Sequence, residues 1–143
     1  MKIREKTGFT LIELMLVVII LGVLVSIVAP RLKGKTKKAK VAATKTTIDG
    51  NLALALDLYE LDNGDYPVTN QGLEGLRKKP ANASSWKGPY LKKRVPLDPW
   101  GNAYNYVCPG VHNQDDYDLS SNGPDGVVGG GDDIVNWDNE EQA

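Results

Sequence analysis

Gly8-Phe9-Thr10-Leu11-Ile12-Glu13-Leu14 opens an apolar stretch that, Glu13 apart, carries no charge as far as Pro30. Residues 9–29 number 21, which at ~1.5 Å per residue matches a ~30 Å hydrocarbon core. The stretch therefore reads as a helix that enters a bilayer. Ahead of it Lys2, Arg4 and Lys6 outweigh Glu5, and such a basic flank stays on the cytoplasmic side while the rest of the chain goes outward. A secretory signal would be lost at a small-residue site after its apolar part. Here Val25-Ser26-Ile27-Val28-Ala29-Pro30 has no clean Ala-x-Ala, and a proline follows the only candidate position. The helix is expected to remain with the protein.

Glu13 is the anomaly in this stretch. A carboxyl costs about 2.5–3.5 kcal/mol near the centre of a bilayer and less at its edge, unless a partner meets it. Either it snorkels to the headgroups, as in a plain signal anchor, or it awaits a cation from another chain. Further along, Pro30 lacks an N–H and crowds the carbonyl four residues back, and Gly22 is a weak helix former. A kink or a locally melted segment is expected between them.

Gly8-Phe9-Thr10-Leu11-Ile12-Glu13 resembles the prepilin motif shared by type IV pilins and the pseudopilins of type II secretion. The resemblance implies that a prepilin peptidase cuts the Gly8–Phe9 bond on the cytoplasmic side and methylates the new amino group of Phe9. Glu13 is then the fifth mature residue, and its cation is the N-terminal ammonium of a neighbouring subunit.

The chain has 143 residues and a single cysteine, Cys108, so it holds one modest domain beyond its anchor and no intrachain disulfide. An exported domain without one needs another staple, a metal or a partner. Net charge is −1, but residues 31–45 hold seven Lys or Arg and no acid, whereas after Arg94 there are ten acids and no Lys or Arg. The basic run either attracts anionic headgroups or acidic neighbours, or is simply a solvated helix face. A basic run beside the apolar span and an acidic distal part disfavour nucleic acid.

Beyond Pro30, Val41, Lys45, Ile48, Leu52, Ala55 and Tyr59 recur at spacings of three and four, and Leu54, Leu58 and Leu61 add a second stripe. The later part of this helix is expected to lie on a sheet. Asp62-Asn63-Gly64 ends it, with Gly64 free to take the left-handed conformation. Thr69 or Asn70 can cap a brief helix carrying Leu73 and Leu76, which Pro80 closes. Trp86-Lys87-Gly88-Pro89-Tyr90-Leu91 and Asp98-Pro99-Trp100-Gly101-Asn102 are turns with aromatic anchors. Strands are expected at residues 104–108 and 117–120, separated by a Pro109-Gly110 turn and a polar loop. The fold class is α+β, a long N-terminal helix packed on a small antiparallel sheet. It divides into a leader at 1–8, a membrane and assembly helix at 9–30, its amphipathic continuation at 31–63, and a globular domain at 64–143.

Gln71-Gly72-Leu73, Gly88-Pro89-Tyr90-Leu91-Lys92-Lys93, Pro96-Leu97-Asp98-Pro99-Trp100-Gly101-Asn102, Tyr117-Asp118-Leu119, Asp133-Ile134 and Asn136-Trp137 are similar to the major pseudopilin family of type II secretion, across nearly the whole chain. That resemblance implies a pilin-like fold. The stretch Ser121-Asn122-Gly123-Pro124-Asp125-Gly126-Val127-Val128-Gly129-Gly130-Gly131-Asp132-Asp133-Ile134 can fold back on its glycines so that carboxylates and carbonyls converge, as Ca²⁺ with its six to eight oxygen ligands requires. Without a cation the three aspartates would crowd like charge. The absence of any His/Cys cluster argues against zinc, and the acid spacing is not that of an EF-hand. The family resemblance implies that Asp125, Asp132 and Asp133 bind the calcium, with a backbone carbonyl at Asn122, a position where the family more often has an apolar residue. Asp115, Asp116, Asp118, Asp138, Glu140 and Glu141 read as surface or tail charge.

Catalysis finds little support. His112 sits in a polar loop with no nucleophile beside it, and Cys108 lies in a strand pattern that suits a small buried hydrophobe. The reading is a filament subunit, not an enzyme: anchored by one pass in the inner membrane with its C-terminal domain periplasmic, then polymerised as a homo-oligomer into the pseudopilus. By resemblance its partners are prepilin peptidase, minor pseudopilins and the inner-membrane secretion platform. The alternatives are a type IV pilin for adhesion, motility or DNA uptake, which a pair of C-terminal cysteines would have favoured, and a monomeric membrane-anchored calcium-binding domain.

Overall fold

The computed structural model describes residues 8–137, and the side chains of all of these except 28–33. The leader expected at 1–8 therefore lies outside the described residues save for Gly8, as do Asp138, Glu140 and Glu141. The chain divides into two compact units, with the boundary after Lys38. Helix α1 runs Leu11–Thr46 without interruption, which corrects the expectation of a melted segment between Gly22 and Pro30. One proline removes one backbone bond, and the helix continues past it on the bonds that remain. Among the described residues no helix is long and apolar enough to cross a membrane; the described side chains of the apolar run stop at Ile27.

In the second unit the helix changes pitch. Thr47–Leu52 is a π-helix, after which α2 occupies Ala53–Asn63. The cause is local. The hydroxyls of Thr46 and Thr47 donate to the carbonyls of Ala42 and Ala43 at 2.9 and 3.0 Å, competing with the backbone N–H groups that would use them. Gly50 lowers the cost of the wider turn, and the Ala53 N–H reaches back to the Ile48 carbonyl, five residues away. A wider turn rotates everything that follows it. Leu54, Leu58 and Leu61 accordingly face solvent, at 62, 43 and 81% exposure, while Leu56 is fully buried. The second stripe thus lies outside the core, and Thr44 rather than Lys45 is the buried member of the first stripe. Gly64 closes α2 at φ 89°, its N–H donating to the Glu60 carbonyl at 2.7 Å, as its sequence position predicts.

The core joins Ile48, Leu52, Leu56 and Tyr59 of this helical segment to Leu73, Leu76, Tyr104, Tyr117, Leu119 and Ile134. Leu73 and Leu76 come from a 3₁₀ turn at Gly72–Leu76. Neither expected cap, Thr69 or Asn70, serves it, since Gln71 stands at its N-cap with no side-chain bond; the Thr69 hydroxyl donates to the Cys108 carbonyl at 3.0 Å and accepts from the Cys108 N–H at 2.9 Å. The sheet has three antiparallel strands in the order β1 (Asn105–Val107), β2 (Asp118–Ser121) and β3 (Ile134–Val135). Tyr106 faces Leu119 across β1 and β2, and Ser121 faces Ile134 across β2 and β3. Both expected strands are present, slightly displaced, and β3 is additional. Trp86 and Tyr90 anchor the intervening loop as expected: the Trp86 indole donates to the Gly75 carbonyl at 3.1 Å, and the Tyr90 hydroxyl donates to Asp62 at 3.0 Å.

Candidate functional site

At the N-terminal end, Thr10 precedes α1 and its hydroxyl accepts from the Glu13 N–H at 3.3 Å. Thr10-Leu11-Ile12-Glu13 is the side-chain half of a capping box, a pattern legible in the sequence that the membrane-centred reading passed over. It places Glu13 in the first helical turn, where the helix dipole favours a negative charge. Every residue from 8 to 27 is exposed, including Phe9, Leu11 and Ile12 at 75–78%. The Ser26 hydroxyl, further along the apolar stretch, donates to the Val23 carbonyl at 2.7 Å. Such a segment displays apolar surface all round and can be at rest only in lipid or against other chains. Gly8, Phe9 and Glu13 thus stand together at its exposed beginning.

The second site is the loop between β2 and β3. Both limbs are pinned. Ser121, fully buried, accepts from the Gly123 N–H at 3.2 Å. The side chain of Asn136 behaves as an extra strand rung: its oxygen accepts from the Leu119 N–H at 2.8 Å and its amide donates to the Tyr117 carbonyl at 3.0 Å. Trp137 stacks on the His112 ring with 4.1 Å between centroids and 2° between planes. Inside these clamps, Gly123 at φ 65° lies so close to Asp132 that an added Cβ would stand 2.2 Å from its carbonyl oxygen. A Cβ on Gly130 would stand 2.1 Å from an oxygen of Asp125. The glycines thus permit the two limbs to touch.

The aspartates are turned toward the loop's own backbone. Asp125 accepts from the Val127 N–H at 2.8 Å, and Asp133 accepts from the Gly129 N–H at 2.6 Å. Asp132 and Asp133 each bury one further carboxylate oxygen, Oδ1, that has no hydrogen-bond partner. An acceptor withdrawn from water without a donor is costly, and a hard cation is one partner that such oxygens can take. Asn122 bonds to Asn105 through its side-chain oxygen and to the Gly126 carbonyl at 3.3 Å through its amide. Among the described residues no three His, Cys, Asp or Glu side chains form a metal-holding group, so Asp125, Asp132 and Asp133 are not gathered into one carboxylate cluster, and an ion here would need backbone carbonyls or water as further ligands. The donor set fits calcium in kind: all oxygen, two of them orphaned.

Asp118, read from the sequence as surface charge, is instead buried, with 6% exposure. It accepts from the backbone N–H groups of Val111, His112 and Asn113 at 2.8–2.9 Å and lies 3.0 Å from the His112 ring. Burial works against its ionisation, but these donors prevail and hold its carboxyl below the ordinary range. Burial also pushes the Cys108 thiol up, away from the thiolate a nucleophile needs.

Two family models match this chain: "Type II secretion system (T2SS), protein G" over residues 31–137, and "Prokaryotic N-terminal methylation motif" over residues 3–29. Among curated relatives, a type II secretion system core protein G from Pseudomonas aeruginosa is 49% identical, covering 97% of this chain and 100% of its own length. The Escherichia coli K12 and Vibrio cholerae proteins of the same description are each 48% identical, covering 93 and 95% of this chain and 92 and 94% of their own lengths. The crystal structure of the major pseudopilin from the type 2 secretion system of enterohaemorrhagic Escherichia coli superposes with a TM-score of 0.66 at 37% identity, over 74% of this chain and 89% of that one.

Proposed function

This chain belongs to the protein G family of type II secretion systems, and from that premise we propose that it is a major pseudopilin: cut between Gly8 and Phe9, N-methylated on Phe9, and polymerised through its N-terminal helix into a periplasmic pseudopilus. The role is structural. The observation that carries this reading is the helix with no buried side, exposed at every residue from 8 to 27. Fully burying one of its Leu or Ile side chains is worth about 1.5–3 kcal/mol, and packing with copies of itself supplies that burial. Before assembly the inner membrane holds the same surface, with the uncharged run continuing in sequence to Pro30.

Glu13 sets the register. Its carboxylate, moved into an apolar fibre core, requires a cation, and the methylated ammonium of Phe9 on a neighbouring copy provides one four residues from its own Glu13. Prepilin peptidase, minor pseudopilins and the inner-membrane platform are the partners this role demands. Asp125, Asp132 and Asp133, with the carbonyl of Asn122, hold a calcium ion that orders the β2–β3 loop in a domain with no disulfide. The orphaned oxygens of Asp132 and Asp133 support this assignment.

Mass spectrometry of the protein from membranes tests processing: the chain is expected to start at methylated Phe9. Crosslinking of intact cells is expected to give a ladder of multimers that Glu13→Ala abolishes, and loss of the protein is expected to stop export of secreted hydrolases while sparing twitching and transformation. Loss of twitching instead would assign the chain to type IV pili, and a native N-terminus at Met1 in a solitary chain would remove the filament reading.

A further inference from the structure

We infer that Asp98 and Ser121 are positioning residues for the calcium loop, so that its affinity for the ion is set by the Asp98-Pro99-Trp100-Gly101-Asn102 turn, which supplies no ligand. This rests on the calcium reading above. Asp98 is 4% exposed, yet neither of its oxygens is available to a metal. One accepts from the N–H groups of Trp100 and Asn102 at 3.0 and 2.8 Å, and the other accepts from the Ser121 hydroxyl at 2.7 Å. Ser121 is itself inaccessible, and its oxygen accepts from the Gly123 N–H.

The three groups form a chain that runs from the turn to the point where the loop's limbs meet. Gly123 is that point: its N–H ends the chain, and its Cα faces the Asp132 carbonyl with no room for a side chain. Asn122 is one residue away and Asp125 two. The turn touches the loop again at Gly126, where an added Cβ would stand 3.6 Å from the Asn102 amide nitrogen. A loop that must order itself around an ion loses affinity for each residue it immobilises. Here the buried Asp98 carboxylate orients the Ser121 hydroxyl, the hydroxyl orients the Gly123 amide, and the entry limb is in place before the ion arrives. Groups that orient ligands from behind typically change metal affinity 10–100-fold when removed.

Calcium titration by calorimetry on the full chain in detergent tests this. Ser121→Ala and Asp98→Asn are expected to weaken calcium binding about tenfold or more, and Ser121→Thr, which keeps the hydroxyl, is expected to retain most of the affinity. Melting is followed with and without calcium: positioning predicts that the rise in Tm on adding calcium shrinks in the two variants. If they melt lower by the same amount in both conditions and bind calcium as the wild type does, the residues are merely structural and the inference fails. Hydrogen exchange on the calcium-free wild-type chain needs no variant. The Gly123 amide is expected to be protected, and rapid exchange there would overturn preorganisation. If the wild type itself binds no calcium, the assignment of the loop falls as well, an outcome distinct from wild-type binding that the variants leave unchanged.

Discussion

Asp118 shows how much a single side chain can hold. It gathers three successive backbone amides and an imidazole, and a Cβ on Gly110 would stand 2.5 Å from its Oδ1. Its carboxyl titrates below the ordinary value of 3.8. A depressed folded value means stability that is fully present above pH 3.8 and lost as pH falls through the folded value. In an acid melt, Asp118→Asn is expected to lower Tm at pH 7 while flattening the decline below pH 4; an acid limb as steep as the wild type's would place the titration elsewhere. Gly123 is the other decisive position. Gly123→Ala puts a methyl against the Asp132 carbonyl at positive φ, and a loss of about 2 kcal/mol or more is expected in urea unfolding. Neither role is legible in the sequence: Asp118 belongs to a family-like Tyr117-Asp118-Leu119 stretch that does not reveal its burial, and Gly123 is one glycine among several in its loop.

At the scale of elements, the π-helix decides which leucines are core. Leu56→Ala removes a fully buried side chain and should cost about 2–5 kcal/mol. Leu61→Ala, at 81% exposure, should stay within about 0.5 kcal/mol. Equal losses for the two in urea unfolding would mean that the helix keeps a plain α phase. The helix itself, its end at Gly64 and the two longer strands were legible, because period and turn residues are local. The change of pitch was not, since the threonine hydroxyls that provoke it are compatible with an α-helix too. Strand β3, two residues long, has no period to read and exists because Asn136 continues its pairing to Leu119.

For the molecule as a whole, the opposed charge of its two ends and the uncovered apolar helix bear on assembly, and the proposed calcium site in the β2–β3 loop bears on the stability of the distal unit. Ala39–Ala143 carries the entire core but no disulfide. Calcium bound only by the folded state adds RT ln(1 + [L]/Kd), about 2.7 kcal/mol at a hundredfold excess over Kd. A chelator is therefore expected to lower the Tm of the chain by several degrees, and Asp125→Ala to abolish the difference. A transition that chelation leaves unmoved would take calcium out of the account. Filament yield should follow the same dependence if the loop must be ordered before copies pack.

By itself the sequence determined what depends on neighbours along the chain. An uncharged run with one acid near its start, a glycine before Phe9, and a glycine-rich stretch with three aspartates each state their chemistry without reference to anything distant. Only the tertiary structure decided what depends on burial. It hid Asp98 and Asp118, sent Leu54, Leu58 and Leu61 outward, and left one oxygen each of Asp132 and Asp133 without a donor. The reason is physical: a carboxylate's role is set by which groups surround it once water is excluded, and those groups come from turns and strands far apart in the chain.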